Sequence, residues 1–336
     1  MSLAADPTRL VGTSMAGFMT DHPDLRYVFF GGKGGVGKTS MAGMTAVELA
    51  RQGRRVLLAS TNPVHSLSGL LGQDVYGKHT PVSGVENLWA LEIDTSEAIE
   101  RSKREIREKI QWFLKFAEIK TKADEFVEAA TTNPAFEESA MFENMVDLMF
   151  RGEYEVYVFD TAPTANARRL LGMSKVYGLW VGKMVKSREE AQSLRETLSF
   201  TKKKEEEDPL MSYLIEFRGR IEHARELLTD PAKTAFFFVT LPEALPIAVI
   251  RRFIDWFTDF GIPVGGVIVN MVIDATQTKG TGEGGEFVRN RISMQEGYLR
   301  EIGETFDGDV RAVVPLLDSD IRGVAALQEA GRRLFT

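Results

Sequence analysis

Short runs of apolar residues, bounded by Gly, Pro, Asn or Asp, recur along the chain and alternate with longer amphipathic segments. This alternation is typical of a parallel sheet whose two faces are covered by helices. Seven strands are predicted, at Tyr27–Phe30, Arg55–Ala59, Leu88–Ile93, Val156–Asp160, Thr234–Val239, Gly266–Asn270 and Val310–Val314. The predicted fold class is therefore α/β, with a mostly parallel sheet flanked by helices.

Two long, charged segments interrupt the alternation and carry helical patterns with no strand between their turns. They predict an α-helical subdomain, formed by residues 96–151 and 174–228, that is inserted into the α/β core. The other boundaries are an N-terminal extension of residues 1–24 and a single domain of residues 25–336, with its α/β core at residues 25–95, 152–173 and 229–336.

A glycine-rich stretch between the first predicted strand and the helix Ser40–Arg51 carries the clearest chemical signal. Residues 31–39 read Gly-Gly-Lys-Gly-Gly-Val-Gly-Lys-Thr and fit the phosphate-loop pattern G-x-x-x-x-G-K-[ST]. A strand that turns into a helix here points backbone N–H groups and the positive end of the helix dipole at a polyphosphate. Lys38 is expected to reach the β- and γ-phosphates, and the Thr39 hydroxyl to ligate Mg²⁺. The residues predicted to bind ATP in this loop are Gly34, Gly35, Val36, Gly37, Lys38, Thr39 and Ser40.

A second nucleotide-site signal is the apolar strand Val156–Asp160, which ends in a carboxylate. After a phosphate loop, a carboxylate at the carboxyl end of such a strand is the expected Walker B ligand of Mg²⁺. Asp160 is therefore predicted to share the metal with Thr39. The cofactors that this arrangement implies are ATP and Mg²⁺.

Composition excludes several classes of partner, cross-link and metal site. The chain has 336 residues, of which 43% are hydrophobic and 26% charged, and its net charge of −7 argues against a nucleic-acid partner. It contains no cysteine, which excludes disulfides and thiolate metal sites. No stretch approaches the roughly 20 apolar residues of a transmembrane segment, and the first 24 residues hold no signal-like apolar block. The expected location is the cytoplasm.

The phosphate loop also has a feature that ordinary loops of this kind do not require, a lysine directly after the first glycine. The string Lys33-Gly34-Gly35-Val36-Gly37-Lys38-Thr39 resembles the deviant Walker A loop of dimeric ATPases, which include the Min/Par type and the arsenical-pump type. In that class the additional lysine, here Lys33, reaches across a dimer interface to the partner's nucleotide. The resemblance therefore implies a homodimer.

Further strings narrow the resemblance to the arsenical pump-driving ATPases and the ATPases that target tail-anchored membrane proteins. Ser60–Leu67 resembles their first switch, and Asp160–Thr164, followed by Arg169-Leu170-Leu171, resembles their second. Val267–Asn270 is similar to the strand whose asparagine recognises adenine, and the match continues to the C-terminus. The resemblance implies Asn270, Pro315 and Leu316 as nucleotide-binding residues, and Lys33, Lys38, Asn62 and Asp160 as catalytic residues.

Three departures from the family pattern bear on function. The first switch usually carries Asp where this chain has Asn62. An amide can hydrogen-bond the attacking water but cannot accept its proton, so hydrolysis is slow unless another group positions the water. The Cys-x-x-Cys pair that holds a dimer zinc falls at about Gly285 and Val288, so no zinc is expected. Arsenite binding through cysteine is excluded because the chain has none.

The helical subdomain is the part of the chain predicted to bind a partner. Met141, Phe142, Met145, Leu148 and Met149 recur there at near-helical spacing. Flexible methionines fit an adaptable groove for an apolar client helix or a membrane-protein partner. The same pattern also fits packing in the subdomain's own core, and both interpretations stay open.

These features together predict a dimeric Mg·ATP-binding ATPase that couples ATP binding and hydrolysis to a conformational change of the helical subdomain. One alternative is a nucleotide-binding regulator or adaptor in which Asn62 has impaired hydrolysis. Another is a Min/Par-type positioning ATPase, against which the second-switch string and the long helical insertion argue. Measured Mg²⁺-dependent ATP turnover separates the ATPase from the regulator.

Overall fold

The computed structural model describes residues 3, 6–61, 66–116, 128, 134–161, 182, 186, 209–275 and 283–336. The chain forms two compact units. The first unit comprises residues 1–95, 147–164 and 229–336, and the second comprises residues 96–146 and 165–228. The domain boundaries inferred from the sequence stay a prediction.

The first unit is built on an eight-stranded sheet, which confirms the predicted α/β fold class. The strands are β1 Tyr27–Gly31, β2 Val56–Ser60, β3 Thr80–Pro81, β4 Leu88–Glu92, β5 Val156–Asp160, β6 Thr234–Thr240, β7 Val264–Val272 and β8 Val310–Pro315. Their spatial order is β3-β4-β2-β5-β1-β6-β7-β8, and the pairs are parallel except for β3 with β4. This order places β1, and the loop that leaves it, in the middle of the sheet.

The apolar pattern predicts seven of these strands to within two residues at each end. It misses the short antiparallel strand Thr80–Pro81, because that segment contains no apolar run and lies at the edge of the sheet. A strand that is not buried on both faces does not need such a run.

The helices alternate with these strands or follow one another in the second unit. They are α1 Met15–Asp21, α2 Lys38–Arg51, α3 Ser66–Leu71, α4 Thr95–Phe116, α5 Pro134–Arg151, α6 Pro209–Thr229, α7 Ala244–Asp259, α8 Glu283–Thr305 and α9 Gly323–Leu334, preceded by a 3₁₀ turn at Pro7–Leu10. Among the described helices, none combines the length and the apolar character that crossing a bilayer requires.

The central strand β1 is buried along its whole length, so its side chains alternate between two packed layers. Val28 and Phe30 belong to the hydrophobic cluster to which α2 and α9 contribute. Phe29 points to the opposite face, where its ring stacks on those of Phe159 and Phe236 at centroid distances of 4.8 and 4.2 Å. Packing on both faces fixes the direction in which β1 ends, and with it the start of the loop that follows.

The N-terminal segment before β1 belongs to the first unit and packs against its core. Met15 and Phe18 of α1 are buried in the same hydrophobic cluster as β1. The Phe18 ring meets the Phe237 ring edge-on at 5.2 Å, and the Arg311 guanidinium lies over the Phe18 ring at 5.4 Å. The segment that the sequence marks as an extension therefore contributes apolar side chains to this core.

The methionine-rich segment of α5 can be examined where its side chains are described. Met141, Met145, Leu148 and Met149 are buried. These four side chains are interior residues of the protein in this structure, so a client groove cannot rest on their exposure. The Phe142 side chain lies outside the described residues.

Candidate functional site

The phosphate loop has the geometry that its glycines require. Gly32 and Gly37 have φ of +141° and +96°, and a Cβ at Gly32 would collide with the Val239 carbonyl oxygen of β6. Gly34 is different, because its φ is not positive and a Cβ there would meet no described atom within 4 Å. Neither backbone strain nor packing among the described residues explains glycine at that position, whereas close approach of a phosphate does.

Lys38 begins α2 and folds back over the loop. Its Nζ donates a hydrogen bond to the Lys33 carbonyl oxygen at 3.2 Å. Burial lowers the pKa of Lys38, and the negative charge of Asp160 opposes that shift. The Lys33 side chain itself is exposed. The loop therefore presents one partly buried lysine to the site and one exposed lysine to its surroundings.

Asp160 ends β5 beside the start of α2 and is 1% exposed. Its Oδ2 accepts hydrogen bonds from the Thr39 hydroxyl at 2.7 Å and from the Ser60 hydroxyl at 3.1 Å. Burial raises the pKa of Asp160, against lowering by the Thr39 hydrogen bond, the Lys38 charge and the Ser60 hydrogen bond. The two hydroxyl hydrogen bonds and the Lys38 charge thus favour the ionised form of a carboxyl group whose burial favours the protonated form.

This donor set suits a hard divalent cation. Mg²⁺ binds oxygen ligands, commonly one hydroxyl and one carboxylate in addition to phosphate oxygens and water. Thr39 and Asp160 supply that hydroxyl and that carboxylate in direct contact with each other. A cation would also compensate the buried negative charge, so the residues present fit Mg²⁺.

Parallel pairing lines up a row of polar residues along the carboxyl edge of the sheet. Glu92 is in register with Ser60, and Ser60 with Asp160. Glu92 is 1% exposed and accepts hydrogen bonds from the Leu67 backbone N–H at 3.0 Å and the Ser68 hydroxyl at 2.6 Å. These bonds fix the first turn of α3, at the end of the predicted first switch.

Asn270 lies on the other side of the phosphate loop, near the end of β7. It is 7% exposed, and its Nδ2 donates to the Val36 carbonyl oxygen at 2.9 Å. Pro315 ends β8, and the Leu316 N–H donates to the Val272 carbonyl oxygen at 2.9 Å. The structure thus joins Asn270 to the phosphate loop and sets Leu316 beside β7, while recognition of adenine stays a prediction.

Not all the predicted site residues can be located. Asn62 lies outside the described residues, as does the second switch after Thr161. Glu92 is a functional candidate that sequence reasoning did not select, and Ser60 was named only as the first residue of the predicted first switch. The signal that identifies both is a polar residue that closes a buried apolar run, the same signal that selects Asp160.

Exposed apolar side chains gather at the carboxyl edge of β6, β7 and β8. Among the described residues, the large apolar side chains with the greatest exposure in this region are Leu245, Met271, Phe287, Met294 and Leu316. On α8, Phe287 and Met294 flank Arg291, which forms an ion pair with Glu243 at 3.2 Å. Apolar exposure of this kind is typical of an interaction surface.

The central position of β1, the glycine loop that follows it and the Lys38–Thr39–Asp160 cluster define a phosphate-loop nucleotide-binding protein. The family model described as Anion-transporting ATPase matches residues 25–336. The chain therefore belongs to the anion-transporting ATPase family, as the switch strings predicted.

Individual relatives agree with this assignment. Putative arsenical pump-driving ATPase 2 of Aquifex aeolicus is 30% identical over 312 residues, which cover 92% of this chain and 99% of the relative. ATPase ASNA1 homolog 2 of Paramecium tetraurelia is 27% identical over 318 residues, or 92% of this chain and 93% of the relative. ATPase GET3A of Arabidopsis thaliana is 29% identical over 320 residues, which cover 94% of this chain and 85% of the relative. The match extends over nearly the whole chain in each case.

Proposed function

We propose that this chain is a Mg·ATP-dependent ATPase that acts as a homodimer and couples its nucleotide state to a conformational change of the helical subdomain. The observation that carries the proposal is the direct contact of Thr39 with the buried Asp160, next to Lys38. Hydroxyl, carboxylate and ammonium are the groups that phosphoryl transfer from a nucleotide requires.

Each group has a separate role in this proposal. Lys38 binds the β- and γ-phosphates, and Thr39 and Asp160 hold Mg²⁺. Bound there, Mg²⁺ supplies positive charge that offsets the charge on the phosphate oxygens during transfer. The backbone N–H groups that cradle the phosphates belong to Gly34, Gly35, Val36, Gly37, Lys38, Thr39 and Ser40.

Titration of the purified protein with Mg·ATP tests the assignment. Lys38→Ala removes a charged phosphate donor and should weaken Mg·ATP binding by about 10- to 100-fold, the usual range for a charge-assisted hydrogen bond. Lys78→Ala is the matched control, because Lys78 is exposed in a turn before β3. An ATP affinity that is the same in Lys38→Ala and in the parent would contradict the proposed site.

Two observations support the homodimer. Lys33 projects from the phosphate loop into solvent, from where it can reach the phosphates of a second copy. Exposed Leu245, Met271 and Leu316 lie at or just after the carboxyl ends of β6, β7 and β8, the edge of the sheet at which the phosphate loop also follows β1, and the helix after β7 carries Phe287 at 66% exposure. A second copy that covers this edge would bury them and bring the two loops together. The proposed dimer has no cysteine zinc clasp, since the chain contains no cysteine.

The proposed partner of the helical subdomain is an apolar client helix or a membrane protein. It rests on the family resemblance of the switches and on the separate compact unit that residues 96–146 and 165–228 form. Binding of a fluorescent apolar helical peptide, measured with and without Mg·ATP, tests it. Equal affinity in both conditions would argue against coupling between nucleotide and client.

A second candidate is a nucleotide-binding regulator or adaptor that hydrolyses ATP poorly. Asn62 favours it, because an amide in the position of the first-switch aspartate cannot take the proton of the attacking water. Phosphate release under saturating Mg·ATP separates the two candidates. Binding without turnover supports the regulator, and steady turnover supports the ATPase.

A further inference from the structure

Gln295 contacts the backbone at a bulge near the end of β7, although it lies outside the predicted site. It belongs to α8 and is 5% exposed. Its Nε2 donates to the Met271 carbonyl oxygen at 3.3 Å, and its Oε1 accepts from the Ile273 N–H at 2.9 Å. One side-chain amide therefore holds the backbone on both sides of Val272.

The backbone needs this support because Met271 is in the left-handed region, with φ +56°. A residue with a side chain is destabilised there by the approach of Cβ to the backbone carbonyl. Such a conformation persists only where its surroundings impose it. The pairing of β7 with β8 has a bulge between Val269 and Val272, which includes Asn270 and Met271. The backbone conformation at Met271 therefore bears on how the Asn270 side chain is presented.

Asn270 in turn holds the phosphate loop. Its hydrogen bond to the Val36 carbonyl oxygen joins positions 234 residues apart in the chain. The fit at the next residue is tight, because a Cβ at Gly37 would collide with Asn270 Nδ2. This contact involves protein atoms alone, so it acts on the shape of the loop and not on the choice of base.

We propose that Gln295 and Asn270 form a two-step clamp on the phosphate loop. Gln295 fixes the left-handed backbone at Met271, and Asn270, positioned by that bulge, holds the Val36 carbonyl so that the following N–H groups face the phosphates. Gln295 is thus a positioning residue for triphosphate binding. The structural half of this proposal is the effect of the clamp on the shape of the loop, and the functional half is its effect on triphosphate binding. The functional half rests on the proposed Mg·ATP site, whereas the structural half does not.

Backbone hydrogen exchange tests the structural half without nucleotide. In Asn270→Ala and in Gln295→Ala, the peptide covering residues 31–41 should exchange several-fold faster than in the parent, while β5 stays unchanged. Gln73→Ala is the matched control, because Gln73 also bridges two backbone groups, the Pro81 carbonyl at 2.8 Å and the Ser83 N–H at 2.9 Å, at the β3 edge of the sheet.

Three results would overturn the structural half. The first is unchanged exchange of the 31–41 peptide in Asn270→Ala and Gln295→Ala. The second is an equal rise in Gln73→Ala. The third is a rise in β5 as large as that in the loop, because the two side chains would then support the whole fold and not the loop.

Binding of Mg²⁺ complexes of ATP and of inorganic tripolyphosphate tests the functional half. Gln295→Ala should weaken each of the two ligands by a factor of about 2 to 10, the usual range for one lost hydrogen bond. A loss confined to ATP, or a parent that binds ATP but not tripolyphosphate, overturns the phosphate-side role. If the parent binds neither ligand while the exchange result holds, the Mg·ATP function fails and the structural clamp stands.

Discussion

At the scale of single residues, burial raises the pKa of Asp160, and the hydrogen bonds and the charge around it oppose that shift. It is 1% exposed, and desolvation raises its pKa despite the opposing Thr39 and Ser60 hydrogen bonds and the Lys38 charge. A folded-state pKa above that of the unfolded chain means that the folded protein favours the protonated form. The stability associated with this carboxyl group is present at low pH and is lost as the pH rises through the raised pKa.

Replacement of Asp160 by a neutral residue should therefore stabilise the nucleotide-free protein and disable the proposed Mg·ATP site. In the absence of nucleotide, Asp160→Asn should raise Tm at pH values where the parent carboxyl group is ionised, because the neutral amide removes the cost of burying a charge. The gain should shrink as the pH falls through the raised pKa, because the parent is then neutral as well. With Mg·ATP the order should reverse, because only the parent is stabilised by binding.

Differential scanning calorimetry across pH, with and without Mg·ATP, measures both effects. The control is Asp307→Asn, which changes an exposed carboxylate in the loop before β8 and should shift Tm little. A lower Tm for Asp160→Asn at neutral pH without nucleotide would show that the ionised carboxylate stabilises the fold, contrary to the argument from burial.

Asn62 is the residue on which the rate of hydrolysis should depend. Asn62→Asp restores a group that can take the proton of the attacking water, while the phosphate contacts of Lys38 and the metal contacts of Thr39 and Asp160 are unchanged. The variant should raise kcat by up to about 10²–10⁴-fold, the usual contribution of a general base, and leave the Kd for ATP nearly constant.

Phosphate release under saturating Mg·ATP checks the Asn62 prediction. Asn87→Asp, an exposed asparagine before β4, is the control for the change of charge. Turnover of Asn62→Asp no faster than that of the parent would mean that another group already positions the water. The regulator hypothesis would then lose its main support.

At the scale of elements, the fold and the loop were predictable because their signals are contiguous in sequence. Buried strands such as β1 and β5 are unbroken apolar runs, and the phosphate loop is a single nonapeptide. The partners of Glu92 and Gln295 were not predictable in this way, although Glu92 itself closes a buried apolar run. Each is a single polar residue whose partner is distant in sequence, such as Leu67, 25 residues from Glu92. Their roles follow only from strand register and from the packing of α8 on β7.

A glycine with positive φ lies at each end of α2, but only the one at the phosphate loop is in tight contact with another residue. Comparing the two separates the cost of backbone strain from the cost of that contact. Gly37 precedes the helix with φ +96°, and Gly53 follows it with φ +88°. Gly53→Ala adds only backbone strain of about 1–2 kcal/mol, because no described atom lies within 4 Å of the new Cβ. Gly37→Ala adds the same strain and also a collision with Asn270 Nδ2.

Thermal unfolding of the two glycine variants should therefore give a larger fall in Tm for Gly37→Ala than for Gly53→Ala. Only Gly37→Ala should also lower the affinity for Mg·ATP, because the collision displaces the loop or the side chain that holds it. Equal destabilisation would show that the contact between Gly37 and Asn270 relaxes without cost.

At the scale of the whole molecule, the exposed apolar residues at the carboxyl edge bear on assembly. Phe287 and Met294 are one heptad apart on α8, and seven residues return a helix to nearly the same side. Ile215 of α6 is comparably exposed, at 56% against 66% for Phe287, but belongs to the other compact unit. It therefore serves as a matched control for the effect of placing a charge on an exposed apolar position.

We expect the protein to dimerise when Mg·ATP is present, with a mass by light scattering of about twice the 37.5 kDa of one chain. Phe287→Asp should leave it monomeric, because a charge at a buried dimer contact is desolvated without a partner. Ile215→Asp should dimerise as the parent does.

Lys33→Ala should weaken only the dimer that forms with ATP, since the proposed contact of Lys33 is with the partner's phosphates. A zinc-selective chelator should have no effect. A parent that stays monomeric with Mg·ATP at high concentration, or equal loss in the two aspartate variants, would rule out this surface as the dimer contact.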